Sequence, residues 1–226
     1  MNRFISKVIF PLLLLALLSI GLSGCGDLTP EGSCGEALST SGYLLSKDCR
    51  ALSWGQDLPI KIAYGTSLVN YKNANAVAAI DKAIQNWENV TSLDLFQYVG
   101  TQDDPVGQES NSYINLIGMR SGSNWSNDPI RGKADEPAKT IYYYKDFLYN
   151  ADIFFNTEFP FSVNATPNTF DLVSIAVHEL GHVLGLGHDD SLDPDISTMN
   201  SKIFKGSERQ LPATRDIQRI RALYAR

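Results

Sequence analysis

His178-Glu179-Leu180-Gly181-His182-Val183-Leu184-Gly185-Leu186-Gly187-His188 contains all 3 histidines of the 226-residue chain. At about 100° per residue, His178 and His182 project from one face of a helix, one turn apart, as two ligands of a single Zn2+ require. Glu179 lies about 100° from His178 on the same side, where a carboxylate reaches a metal-held water without ligating the metal. Gly185 lets the chain leave the helix, by positive φ or close backbone approach, so that His188 swings back as third ligand. Three neutral imidazoles leave the fourth position of a tetrahedral zinc open, which distinguishes a catalytic site from a structural one. Water there ionises near neutrality. The competing reading is two histidines decorating a buried helix and a third in a loop. It leaves two imidazoles on a helix apolar nearly all round with nothing to offset their burial.

Outward from this motif, Phe170–Leu186 reads as a helix buried on most of its circumference. Upstream, Val77, Ile80, Ile84 and Trp87 fall at spacings that make an amphipathic helix over about 74–90. Leu58–Tyr64 alternates and reads as a strand, with Pro59 confined to its start. Leu93–Tyr98, Tyr113–Met119, Thr140–Tyr144 and Asp152–Asn156 follow as short strands between turn-rich stretches. Thr214 starts a third helix with Ile217, Ile220 and Leu223 on its inner side. The order predicts an α+β (mixed α/β) domain, one sheet covered by a few helices. Trp87 and the Tyr142-Tyr143-Tyr144 run read as packing and strand propensity in preference to a ligand-stacking surface.

At the site the sequence resembles the metzincin metalloproteases, in a matrixin-like form. Ser197-Thr198-Met199-Asn200 is similar to their Met-turn, which implies that Met199 forms an apolar floor beneath the zinc. Leu58–Tyr64, Ala83-Ile84-Gln85-Asn86-Trp87 and Asp94-Leu95-Phe96 resemble the matrixin first strand, first helix and following strand. Asp152–Asn156 resembles the strand before the active-site helix, and Leu211–Tyr224 the C-terminal helix. The likeness covers about residues 51–226. It implies a zincin fold of one twisted, mainly parallel sheet with two long helices and a C-terminal helix. It also implies a zinc-dependent metalloendopeptidase, with His178, His182 and His188 as ligands and Glu179 as general base. Protein or peptide substrate would lie extended along an edge strand. Its side-chain preference would come from a pocket beside the zinc, walled by Ile203 and Phe204.

Departures from the family are visible too. Matrixins commonly carry a second, structural zinc on several histidines, and no histidine remains here to build one. Asn156-Thr157-Glu158 stands where the family often places acidic calcium ligands, a thin basis for Ca2+. Asp189 is a residue type more typical of the adamalysin branch. The run Asp189-Asp190 with Asp193 and Asp195 has no EF-hand spacing and reads as a solvated loop.

The chain is 43% apolar and 19% charged, a globular composition that excludes fibre and solvated tail. Its net charge of −6, with no basic block, excludes the usual attraction to nucleic acid. Residues 1–24 begin with Arg3 and Lys7, run apolar from Val8 to Ile20 and end in small residues, the order of a secretory signal. The apolar run, interrupted by Pro11, is shorter than the about 20 residues a bilayer core requires. Leu22-Ser23-Gly24-Cys25 resembles the lipobox of bacterial lipoproteins, implying cleavage before Cys25 and lipidation of its thiol. The competing reading is an ordinary signal with Cys25 as a structural thiol.

Gly26 after that cysteine, with no Asp, points to the outer membrane where the cell has one. Cys34 and Cys49, an even pair in an exported chain, predict a disulfide. The alternative, Cys34 as a thiolate capping the metal, lacks the Pro-Arg-Cys-Gly context of the cysteine switch. The expected organisation is a signal peptide over 1–24, a lipid-anchored tether over 25–50 and one monomeric catalytic domain over 51–226 at the cell envelope. A non-catalytic zinc-binding envelope lipoprotein is the alternative, against which stands Glu179, since a structural zinc needs no base.

Overall fold

Five strands, Ile60–Gly65 (β1), Phe96–Gln102 (β2), Asn115–Arg120 (β3), Ala138–Tyr144 (β4) and Leu148–Asn156 (β5), form one sheet in the order β2-β1-β3-β5-β4. The computed structural model describes residues 23–24, 34, 42–72, 75–104, 114–190 and 197–225. Strand β1 pairs in parallel with β2 and β3, and β3 with β5; β4 alone runs antiparallel, against β5. Parallel neighbours need long crossovers, and helix α1 (Ala76–Thr91) lies in the one between β1 and β2. Helix α2 (Leu172–Val183) carries the histidine motif and α3 (Thr214–Tyr224) closes the described chain. This is the mixed, mainly parallel architecture expected, and none of the helices among the described residues is long and apolar enough to cross a membrane.

Helices α1 and α2 pack on each other, and Ala79, Ile80, Ala83 and Trp87 lie on the buried face of α1. Trp87 is fully buried and its indole N–H donates to the Val177 carbonyl at 2.9 Å, which ties the two helices together beneath the site. Every residue of α2 is buried, which its apolar circumference demands. The helix is shorter than predicted at both ends. Asp171 caps it by accepting from the Ser174 backbone N–H at 2.8 Å, and Phe170–Asp171 instead pairs with Phe161–Ser162. At the other end Gly185 takes φ of +95° and turns the chain out.

Strand β5 begins at Leu148, earlier than the predicted Asp152. The polar Asn150 and Asp152 interrupt its apolar run, but both are buried. The Asp152 carboxylate accepts from Leu116 N–H at 2.7 Å, and the Asn115 side-chain oxygen from Ala151 N–H at 2.7 Å, so polar side chains knit β5 to β3. On α3 the buried face is Asp216, Arg219, Ile220 and Tyr224, rotated from the predicted Ile217, Ile220 and Leu223. The rotation follows from ion pairs that Asp216 and Arg219 make inside the fold.

The described end of the expected tether, residues 42–50, packs on the domain. Gly42, Leu44 and Ser46 alternate as buried positions, a two-residue period that the Gly- and Ser-rich composition of the segment obscured. Leu45 bridges Ala51, Tyr43 bridges Leu186, and Cys34 is joined to Cys49 in a disulfide. Cys25 and the rest of the signal and lipobox assignment lie outside the described residues, apart from Ser23 and Gly24.

Burial pushes the Asp152 carboxyl up to about 7, against the lowering pull of Leu116 N–H, Asn150 and Arg120. An acid whose pKa is higher folded than unfolded holds its proton more tightly in the native state. Its contribution is therefore complete at low pH and shrinks as pH rises from the ordinary carboxylate range to about 7. Relative to Asp152→Asn, the wild-type chain is expected to lose on the order of 1 kcal/mol per pH unit across that window, read from urea unfolding at a series of pH values.

Candidate metal centre

Helix α2 presents His178, Glu179 and His182, each at most 1% exposed, and the loop after Gly185 returns His188 to them half-buried. One ligand atom from each histidine can be chosen so that all lie within 4.8 Å of one another. His178 Nδ1 lies 2.9 Å from the Thr198 carbonyl and His182 Nδ1 lies 2.8 Å from the Leu186 carbonyl. A carbonyl only accepts, so in each neutral ring Nδ1 carries the hydrogen and Nε2 presents a lone pair. Those two Nε2 atoms face each other at 3.0 Å. Burial, with the positive influence of His188 and Arg209, pushes His178 down to about 3 despite the opposing bond to Thr198. Burial, His178 and His188 likewise push His182 well below its ordinary value. A shared proton at neutral pH is therefore disfavoured, and two buried lone pairs aimed at each other fit an electron-deficient centre. Three imidazole nitrogens, two of them oriented by carbonyls, suit Zn2+.

Met199 is fully buried against α2. A Cβ on Gly181 would come within 2.4 Å of the Met199 sulfur, so the glycine between the two helical histidines is what admits that sulfur. The turn carrying Met199 hangs on Asp216 of α3, whose carboxylate accepts from Ser197 Oγ at 2.8 Å and from Thr198 N–H at 2.6 Å. Burial raises the Asp216 carboxyl, while these bonds and Arg219 pull it down. Arg219 pairs with Asp216 at 3.8 Å and with Asp189 at 2.8 Å, and Arg215 reaches Asp189 at 3.3 Å. Asp189 also takes part through its backbone, its N–H donating to the Met199 carbonyl at 2.9 Å. The solvated-loop reading thus fails at Asp189, which is 2% exposed and ion-paired. Asp190 accepts from Ser201, while Asp193 and Asp195 lie outside the described residues.

Glu179 is held from the sheet. Thr140, on β4 and fully buried, donates its hydroxyl to Glu179 Oε2 at 2.6 Å. Since β4 is one of the two edge strands of this sheet among the described residues, one element joins the carboxylate to the rim of the fold. A cavity of about 480 Å³ opens beside the Met199 turn, lined by Ser197, Thr198, Glu208, Arg209, Gln210, Leu211 and Ala213. Its lining falls on either side of the predicted Ile203 and Phe204, which do not contribute to it.

Cys34, bonded to Cys49, offers no thiolate to the histidines. Calcium at Asn156-Thr157-Glu158 gains no support. Asn156 uses its side-chain oxygen on the Glu158 N–H at 3.1 Å, and the neighbouring buried Glu136 already has Lys133 and Lys139 at 3.5 and 4.0 Å. Sequence reasoning missed Thr140, Asp216 and Arg219. A Thr in a strand reads as β-propensity and an acid in a first helical turn as a dipole partner, so neither carries a local signal of its role.

The family model for matrixins matches residues 54–225. Metalloendoproteinase 4-MMP of Arabidopsis thaliana is 27% identical over 158 residues, a match that covers 66% of this chain and 43% of that relative. The aligned part is thus less than half of the relative's length.

If the Asp216 carboxylate sets the position of the carbonyl that orients His178, Asp216→Ala should lower zinc affinity roughly 10–100-fold. Asp216→Asn, which keeps an acceptor oxygen, should lose less. Competitive chelator titration of protein that remains folded by circular dichroism makes the comparison.

Proposed function

The chain belongs to the matrixin family of zinc metalloendopeptidases, and we propose that it hydrolyses peptide bonds of protein substrates with His178, His182 and His188 holding zinc and Glu179 as general base. The observation that carries this reading is the convergence of the three histidines, two with their Nε2 lone pairs face to face, beside a buried carboxylate. When bound, zinc supplies Lewis acidity toward a carbonyl oxygen and makes water easier to deprotonate. Glu179 takes a proton from the attacking water as its oxygen bonds to the carbonyl carbon. It then delivers that proton to the nitrogen of the breaking C–N bond, so no covalent enzyme intermediate is needed. Thr140, through its hydroxyl on Oε2, restrains the orientation of the Glu179 carboxylate. Met199 packs beneath the ligands and keeps the floor of the site apolar.

An extended peptide laid along the edge of β4 would gain main-chain hydrogen bonds independent of its sequence. The cavity beside Thr198 is suited to take one substrate side chain, and selectivity would arise there. The signal-like residues 1–24 and the lipobox-like Leu22-Ser23-Gly24-Cys25 support a bacterial envelope location, with the domain held by lipid on Cys25 and the outer membrane favoured where the cell has one. The Cys34–Cys49 bond suits an oxidising compartment.

The test incubates the zinc-loaded mature chain with an unstructured protein, with and without chelator. Cleavage should stop on chelation, and Glu179→Gln should lower kcat at least about 100-fold while zinc stays bound one to one. Stoichiometric zinc with no cleavage of any peptide bond would favour the non-catalytic zinc-binding lipoprotein instead.

A further inference from the structure

Residues 42–52 precede the stretch that matches the matrixin family, yet they grip the loop between the second and third histidines. Tyr43 forms an antiparallel bridge with Leu186. Leu44 N–H donates to the Gly185 carbonyl at 2.8 Å, and Gly187 N–H donates to the Gly42 carbonyl at 3.1 Å. Leu52 N–H then returns to the Leu44 carbonyl at 2.8 Å, so the segment folds back on itself as it leaves the loop. The gripped peptide includes Leu186, whose carbonyl orients His182. The fit is close. A Cβ on Gly187 would come within 2.7 Å of the Tyr43 carbonyl oxygen, and one on Gly185 within 2.4 Å of the Leu52 carbonyl oxygen. From the other side Arg219 packs against Gly42 and pairs with Asp189, the residue after His188.

The loop needs such a grip. Two glycines in three residues give it a large conformational freedom to lose, whereas His188 must stay at a fixed place. Local bonds hold the tip of the gripping segment, with Ser46 N–H to the Arg50 carbonyl at 2.8 Å and Cys49 N–H to the Ser46 carbonyl at 2.9 Å. Its covalent closure is Cys34–Cys49, and a cross-link restricts the arrangements open to an undocked segment.

We propose that residues 42–52 are a positioning brace for the zinc-ligand loop, and that the Cys34–Cys49 disulfide, by keeping the brace docked, slows zinc release. The proposal rests on the zinc reading of the histidine site, and on nothing about which peptide is cut. Its distinctive consequence is that metal retention depends on two cysteines that touch no metal ligand.

The test compares zinc-loaded mature wild type with Cys34→Ser/Cys49→Ser. Two readouts apply: zinc loss to an excess of fluorescent chelator, and amide hydrogen exchange at Gly187 with α1 as internal reference. The brace predicts that zinc leaves about tenfold faster or more in the double variant and that Gly187 exchanges faster while α1 keeps its protection. Equal zinc-loss rates in a folded double variant overturn the brace and leave the zinc reading intact. Wild type that never holds stoichiometric zinc overturns the zinc reading itself. Should the double variant fail to fold, Gly187→Ala poses the same question with the disulfide in place. Its Cβ meets the Tyr43 carbonyl, so faster zinc loss supports the brace and an unchanged rate overturns it.

Discussion

Two backbone carbonyls govern the centre of this protein. The oxygens of Thr198 and Leu186 hold the ring hydrogens of His178 and His182 on Nδ1, which turns both Nε2 lone pairs inward to 3.0 Å of each other. In a buried site such an arrangement is repulsive unless something electron-poor sits among the nitrogens. Each carbonyl belongs to a segment with its own support. Thr198 is in the turn that Asp216 suspends from α3, and Leu186 is in the loop that residues 42–44 grip.

The sheet and helices can be understood as the frame for those two carbonyls. Helix α2 supplies the one-turn spacing of the imidazoles, and Trp87 of α1 fixes its height over the core by bonding the Val177 carbonyl. The end of α2 is held as well, since the Trp54 indole N–H donates to the Val183 carbonyl at 2.7 Å and Tyr224 OH to the Leu184 carbonyl at 2.8 Å. These bonds satisfy helix-end carbonyls that would otherwise be buried without partners. The chain then turns at Gly185 into the gripped loop. Arg219 joins the two supports, because Asp189 follows His188 while Asp216 carries the Met199 turn. Three charged side chains inside the fold are tolerable because each meets an opposite charge at close range.

Much of this was legible in the sequence for a simple reason: helical periodicity is local. The spacing of His178 and His182, the exit at Gly185 and the stripe leading to Trp87 require only the geometry of one helix. Met199 was legible through resemblance, since nothing in a lone buried methionine points to a metal. What stayed hidden depends on tertiary contact. Asp216 and Arg219 looked like the outer face of an amphipathic helix, and only their meeting with Asp189 and the Met199 turn brings them inside. Thr140 is an ordinary strand residue until Glu179 is placed beside it. The segment 42–50 reads as a tether because average composition conceals a two-residue alternation of buried positions.

The central claim is that three imidazoles converge on one zinc and leave room for a fourth, non-protein ligand. X-ray absorption spectroscopy of the zinc-loaded mature chain tests it most directly. The account predicts one zinc per chain with three imidazole nitrogens at about 2.0–2.1 Å and an additional light-atom ligand. A first shell containing sulfur, or a spectrum that His188→Ala leaves unchanged, would contradict it.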